Sequence, residues 1–276
     1  MSTISIGQAV ILGVVEGLTE FLPVSSTGHL KIAEGLMDIP VDDTSVVGFT
    51  AVIQVGAIAA VLLYFYRDII RFVAAWSRGL TNAEARQSHD SKFAWWVIYA
   101  TIPIVVVGLA AKPLIDGPLA SLWVVAASLI GGSIVMWLAE RYATFTRGEP
   151  DITLKDSMLV GSSQILALLF PGFSRSGATL STGLFLGLDR VAATRLSFFL
   201  SIPALTGAGL YELKDATGTD ITPLIVGTLV SFIVAYASVA WLLRYVAKHT
   251  FNLFIGYRIL VAIFLLALLT TDKISA

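Results

Sequence analysis

Cysteine is absent from the 276 residues, and Asp, Glu, Lys and Arg together make up only 13% of them, where a soluble domain carries roughly 25%. The first absence excludes disulfides, thiolate metal sites and a cysteine nucleophile. The second excludes an ordinary water-facing surface. The charges are nearly balanced, 18 basic against 19 acidic, so there is no basic field and nucleic acid is not an expected partner. The first fifteen residues hold no Lys or Arg. A cleavable leader would need a positive n-region there, so the N-terminus is expected to be retained.

Apolar residues fill the space that charge leaves, at 56% of the chain and a mean hydropathy of +0.83. Apolar runs recur near residues 46–66, 93–111, 118–139, 196–211, 222–243 and 252–269, each close to the ~20 residues that cross ~30 Å of hydrocarbon. The expectation is an all-α membrane protein, a single integral-membrane domain over 1–276 with six transmembrane helices. Trp76, Trp95, Trp96, Trp123, Trp137 and Trp241 fall mostly near the predicted ends, as an interfacial belt would.

Cytoplasmic connections collect Lys and Arg. Those at 67–92 and 141–156, with Arg190, Arg195, Arg244 and Lys248, hold twelve basic residues, while Lys112, Lys214 and Lys273 lie in the segments between. This bias puts the start of the run at 46–66 outside. The N-terminus is then also outside, and residues 4–37 must enter the membrane, turn at Pro23 to Gly28 and return. Residues 157–188 must likewise dip in from the cytoplasm and turn at Pro171 to Thr179. The C-terminus is expected outside. Two re-entrant hairpins from opposite faces, each followed by three crossings, form an inverted-topology repeat with halves 1–140 and 157–270. Ser25-Ser26-Thr27-Gly28 aligns with Ser174-Arg175-Ser176-Gly177. Glu16 and Gln164 each stand seven residues before a proline, Pro23 and Pro171. Such repeats place their sites where the breaks meet near the midplane.

Unwound backbone at membrane depth is tolerated only inside protein or along a wet cavity, so the polar residues of the breaks are the candidate site. Glu16 and Glu20, at i, i+4, share one helix face. They suit a bridging hard cation, a general acid or base, or a structural role. His29 suits acid–base work or donation to an anion, and with Ser25, Ser26 and Thr27 just before it a nucleophile–base pair is in reach. The same hydroxyls suit a helix cap, and the helix start with Gly28 suits a phosphate. Arg175 offers a fork matched to a phosphoryl group, with Ser174, Ser176, Gly177 and Thr179 adding donors; its rival role is an ion pair with Glu16 or Glu20. Arg258, early in the last run, is expected to snorkel to the cytoplasmic surface. Gln54 and Gln164 are expected to bond between helices, and Asp189–Arg190 and Glu140–Arg141 to be boundary charges. No small-residue face is distinct enough to specify a homo-oligomer.

The segments "GVVEGLTEFLPVSSTGHL" and "PGFSRSGAT", with "VIQVGAIAAVL" and "SFFLSIP", make the chain resemble the bacterial undecaprenyl-diphosphate phosphatases, the integral-membrane type linked to bacitracin resistance. The resemblance runs over nearly the whole chain. It implies hydrolysis of an isoprenyl diphosphate lipid to its monophosphate in the bacterial cytoplasmic (inner) membrane, recycling the carrier for cell-wall synthesis. It also implies a site open to the periplasm and a divalent cation, Mg²⁺ or Ca²⁺, held by Glu16 and Glu20. By that likeness Glu16, Glu20, Ser26, His29 and Arg175 are catalytic, with Arg175 binding the diphosphate; the residue reading adds Ser25, Thr27, Gly28, Ser174, Ser176, Gly177 and Thr179 as expected substrate-binding residues. A transporter or flippase of an anionic lipid phosphate is the alternative, because paired hairpins also build carriers.

Overall fold

The computed structural model describes residues 4–40, 43–115, 119, 121–212, 220–271 and 273–274. Lys214 and the first three and last two residues, on which part of the predicted orientation rests, lie outside the described residues. Among these residues the regular structure is helical, apart from one isolated bridge between Arg147 and Leu188. Six helices are long and apolar enough to cross a membrane: α3 (Thr44–Tyr64), α6 (His89–Ala110), α8 (Leu122–Tyr142), α11 (Arg190–Glu212), α12 (Ile221–Val246) and α13 (Asn252–Thr270). Each covers one of the six apolar runs. The chain is therefore a multi-pass membrane protein.

One pair of shorter helices precedes the spans of each half. The first pair is α1 (Ile6–Thr19) and α2 (Ser26–Leu36); the second is α9 (Leu154–Leu169) and α10 (Arg175–Phe185). At 1.5 Å per residue they are about 21, 16, 24 and 16 Å long, too short to cross alone. Their partners change over between halves, since α1 packs on α12 and α9 packs on α6. Small residues allow both approaches. A Cβ on Gly13 or Gly17 of α1 would strike the backbone carbonyls of Gly227 or Ser231 in α12, and one on Gly161 of α9 would strike that of Ala100 in α6. Gly13 and Gly17 form a GxxxG pair that the sequence reading passed over, and close packing inside the chain uses it.

The connection at 67–92 differs from the expected loop. It is helical, with α4 (Tyr66–Thr81) and the short α5 (Ala83–Arg86). Tyr66, Ile70, Val73 and Leu80 line one exposed stripe, with Arg67, Arg71 and Arg78 exposed beside it, while Phe72 and Gly79 are buried. That 3.6-residue period makes α4 an amphipathic surface helix. The charges at this end also pair otherwise than expected. Arg190 binds Glu140 through two bonds of 2.7 and 2.8 Å, and Glu140 also accepts from the backbone N–H of Phe251. Asp189 caps α11 by accepting from Ala192. Arg195 joins Glu149 at 2.6 Å to Asp68 at 2.9 Å, tying α11 to α4. Gln164 donates to Gly161 of its own helix and leaves Oε1 without a partner, so it does not bridge helices.

Candidate active site

Each helix pair is broken by a polar elbow with one backbone solution. Ser25 and Ser174 both sit at positive φ, 75° and 74°, a conformation that costs a non-glycine residue of order 1–3 kcal/mol. Each offsets that cost as a cap. Ser25 Oγ accepts from the N–H of Gly28 at 3.3 Å, and Ser174 Oγ from that of Gly177 at 3.1 Å. The breaks are therefore shorter than predicted. Ser26, Thr27 and Gly28 lie in the first turn of α2, and Arg175, Ser176, Gly177 and Thr179 lie in α10.

The equivalent first positions of α2 and α10 are Ser26 and Arg175, and both reach Glu20. Ser26 Oγ donates to Glu20 Oε2 at 2.5 Å, while Arg175 Nη2 donates to Glu20 Oε1 at 3.1 Å. Arg175 Nη1 also meets the carbonyl of Ser201 in α11 at 3.4 Å. Glu20 is almost fully buried, and Phe21 next to it is fixed edge-on against Phe198 of α11, 5.5 Å between ring centres. Glu16, one turn earlier, is 1% exposed with neither carboxylate oxygen hydrogen-bonded. Gln54 of α3, Glu20 and Arg175 all lie close enough to interact with it.

His29 does not pair with Ser26. Its Nδ1 donates to the carbonyl of Ser25 at 2.7 Å, and its Nε2 meets the hydroxyl of Tyr257 at 2.8 Å, with the two rings stacked. In the neutral ring the proton is thereby fixed on Nδ1 and Nε2 is an acceptor. Ser26 and His29 are half-buried and Thr27 is exposed. The hydroxyls of the second break are buried and bonded inward: Ser176 to the carbonyl of Leu22 at 2.8 Å, and Thr179 to Ser197 at 2.6 Å.

Arg258 departs most from expectation. It is fully buried, not stretched to the surface. Its guanidinium donates to the carbonyl of Pro23 in the first break at 3.2 Å, and to those of Gly172 and Phe173 in the second at 3.1 and 2.9 Å. Ser133 Oγ and the Leu129 carbonyl of α8 complete the set at 3.0 and 3.2 Å. A Cβ on Gly132 would occupy the same space. Among the described residues no carboxylate pairs with Arg258; carbonyl dipoles of the two breaks solvate it in place of water. Snorkelling fails because α13 turns this residue inward, where breaks without backbone partners need donors. Tyr257 and Arg258 are the two residues of the site that sequence reasoning left out, although an arginine within an apolar span is itself a signal.

Residues 9–264 match the family described as "Bacitracin resistance protein BacA". The chain belongs to the BacA family. Among its relatives, the Undecaprenyl-diphosphatase 1 of Streptomyces coelicolor is 75% identical and that of Frankia alni 74% identical, each alignment covering all of both chains. The Undecaprenyl-diphosphatase of Acidothermus cellulolyticus is 53% identical over 98% of each chain. The alignments of this BacA-family chain with the first two relatives therefore span both breaks and α13.

Proposed function

We propose that this protein hydrolyses undecaprenyl diphosphate to undecaprenyl phosphate and inorganic phosphate in the bacterial cytoplasmic membrane, returning the lipid carrier to cell-wall synthesis. Loss of its diphosphate substrate in this way accounts for a link to bacitracin resistance. One observation carries the mechanism. A single buried carboxylate, Glu20, accepts from a hydroxyl of one break and from a guanidinium of the other.

Phosphoryl transfer asks chiefly for positioning and charge neutralisation. Arg175 is held beside Glu20 until the diphosphate arrives, then presents its fork to the phosphate oxygens. Glu20 takes the proton of Ser26 as Oγ attacks the terminal phosphorus. The anhydride bond breaks, undecaprenyl phosphate leaves, and water hydrolyses the phosphoserine to inorganic phosphate. His29, its Nδ1 tied to Ser25, lines the same helix start as a neutral partner for substrate or water.

A divalent cation is inferred beside these residues from the unsatisfied Glu16 carboxylate, with its remaining ligands drawn from substrate and water. Glu16 has no hydrogen-bond partner and lies one helical turn from Glu20, and among the described residues no group of three His, Cys, Asp or Glu side chains is gathered to cage an ion. Glu16 and Glu20 would hold Mg²⁺ or Ca²⁺ together with phosphate oxygens and water, as is usual for Mg²⁺. Bound there, the cation would neutralise phosphate charge.

The membrane reading follows. The α1–α2 pair enters from the periplasmic face and the α9–α10 pair from the cytoplasmic face, as re-entrant hairpins of an inverted repeat. The matched serine elbows and the exchanged partners, α12 for α1 and α6 for α9, support that arrangement. Phosphate release from an isoprenyl diphosphate by purified protein in detergent tests the function. Release that is lost in Arg175→Ala and on chelation is expected; lipid transport without release would replace the enzyme with a carrier. Ser26→Ala should abolish release, whereas retention of a large part of the rate would assign the attack to water.

A further inference from the structure

Away from the breaks, two contiguous hollows run along α6 where it meets α4, α5 and α9. The first has a volume of about 490 Å³, with Arg86, Gln87 and Lys92 at its mouth and Trp95, Trp96 and Tyr99 as its wall. The second, about 380 Å³, continues from Tyr99 and Leu154 along Ile102, Pro103 and Met158 and is wholly apolar. No acidic residue lines either hollow. From Lys92 to Pro103 the groove follows α6 for about 16 Å, the reach of most of one acyl chain.

We propose that this groove is a binding site for one anionic phospholipid, its phosphate at Arg86 and Lys92 and an acyl chain along Tyr99, Ile102 and Met158. Three independent features select that occupant. Lys92 is exposed and its side chain makes no hydrogen bond or ion pair among the described residues, and Arg86 spends Nε and Nη2 on the carbonyls of Gly79 and Leu80, leaving Nη1 for a ligand. The charge therefore sits at one end only, as an amphiphile requires. The depth is right as well. On α4 the apolar stripe of Tyr66, Ile70, Val73 and Leu80 runs beside the basic stripe of Arg67, Arg71 and Arg78, which sets this end of the molecule at the boundary of headgroups and acyl chains. The Trp95–Tyr99 stack, 5.4 Å between ring centres, lies at the same level, where aromatic rings favour the interface. Finally, α6 has the most open face of the six spans, 17% buried against 28–56% for the others.

The test is native mass spectrometry of the full-length protein released from mixed micelles of phosphatidylglycerol and phosphatidylcholine. Phosphatidylglycerol should be retained over phosphatidylcholine, and Lys92→Gln should lower that preference about fivefold, the worth of one cation at a lipid surface. Lys92 is exposed, so the elution profile of the variant should match that of the parent. Leu154→Trp, which fills the junction of the two hollows, should reduce retention of both lipids. Equal retention of the two lipids, or a preference that Lys92→Gln leaves intact, overturns the proposal. So does displacement of phosphatidylglycerol by an equimolar isoprenyl monophosphate, which would make the groove a product site, or a dimer that excludes lipid, which would make it a subunit interface.

Discussion

The two breaks share a backbone and divide the chemistry. Ser25 and Ser174 take the same φ and the same capping bond, and the residue after each points at Glu20. In the first break that residue is Ser26, a half-buried hydroxyl followed by exposed Thr27 and half-buried His29. In the second it is Arg175, followed by hydroxyls that are buried and bonded inward. On the proposed mechanism the first break would react and the second would hold. The two helix starts share one backbone and differ at the first helical position, Ser26 against Arg175.

The comparison breaks most severely if the breaks come apart. Arg258→Ala leaves the carbonyls of Pro23, Gly172 and Phe173 buried without donors, at about 1–3 kcal/mol each. A large fall in melting temperature in detergent and loss of phosphate release are expected, with partial recovery of both in Arg258→Lys. Next come the paired positions themselves. Ser26→Ala should lower kcat for phosphate release by at least about 10²-fold with little change in melting. Arg175→Ala should instead raise KM as well as lower kcat, because its fork binds the substrate. Equal kinetic profiles for the two would erase the division of labour. Smaller effects are expected at the elbows. Ser174→Ala loses a cap at positive φ and should cost about 1–2 kcal/mol, while Ser174→Gly, which tolerates that φ, should cost about 1 kcal/mol less. The mildest is Tyr257→Phe, where a fall in kcat of about threefold at unchanged melting would reflect the lost bond to His29 Nε2.

The sequence made the six spans legible because an apolar run of about twenty residues has few other uses. Both breaks were legible too, since proline, serine and glycine interrupt helices where charge has no cheap alternative. An ion pair of Arg175 with Glu16 or Glu20 is legible as the structural rival to catalysis, and the observed pair with Glu20 is compatible with either role. Other features stayed hidden for physical reasons. The stripe on α4 has a clear 3.6-residue period, but counting its arginines as loop charges masked it. The choice of Ser26's partner is tertiary: at i, i+3 on α2 the imidazole shares a face with the hydroxyl, yet His29 bonds the Ser25 carbonyl and Tyr257 while Ser26 bonds Glu20. The meeting of Arg258 with two carbonyl clusters more than 80 and 230 residues away in sequence is tertiary information that no local pattern carries.

Because α13 is made after both elbows, the clasp that joins them arrives late in synthesis. Helices inserted earlier can lie in the bilayer with their serine caps formed, yet lack the common cation that fixes Glu20 against Arg175. Assembly of a competent enzyme thus waits on α13, and a chain stopped before it would be a membrane protein without a working centre.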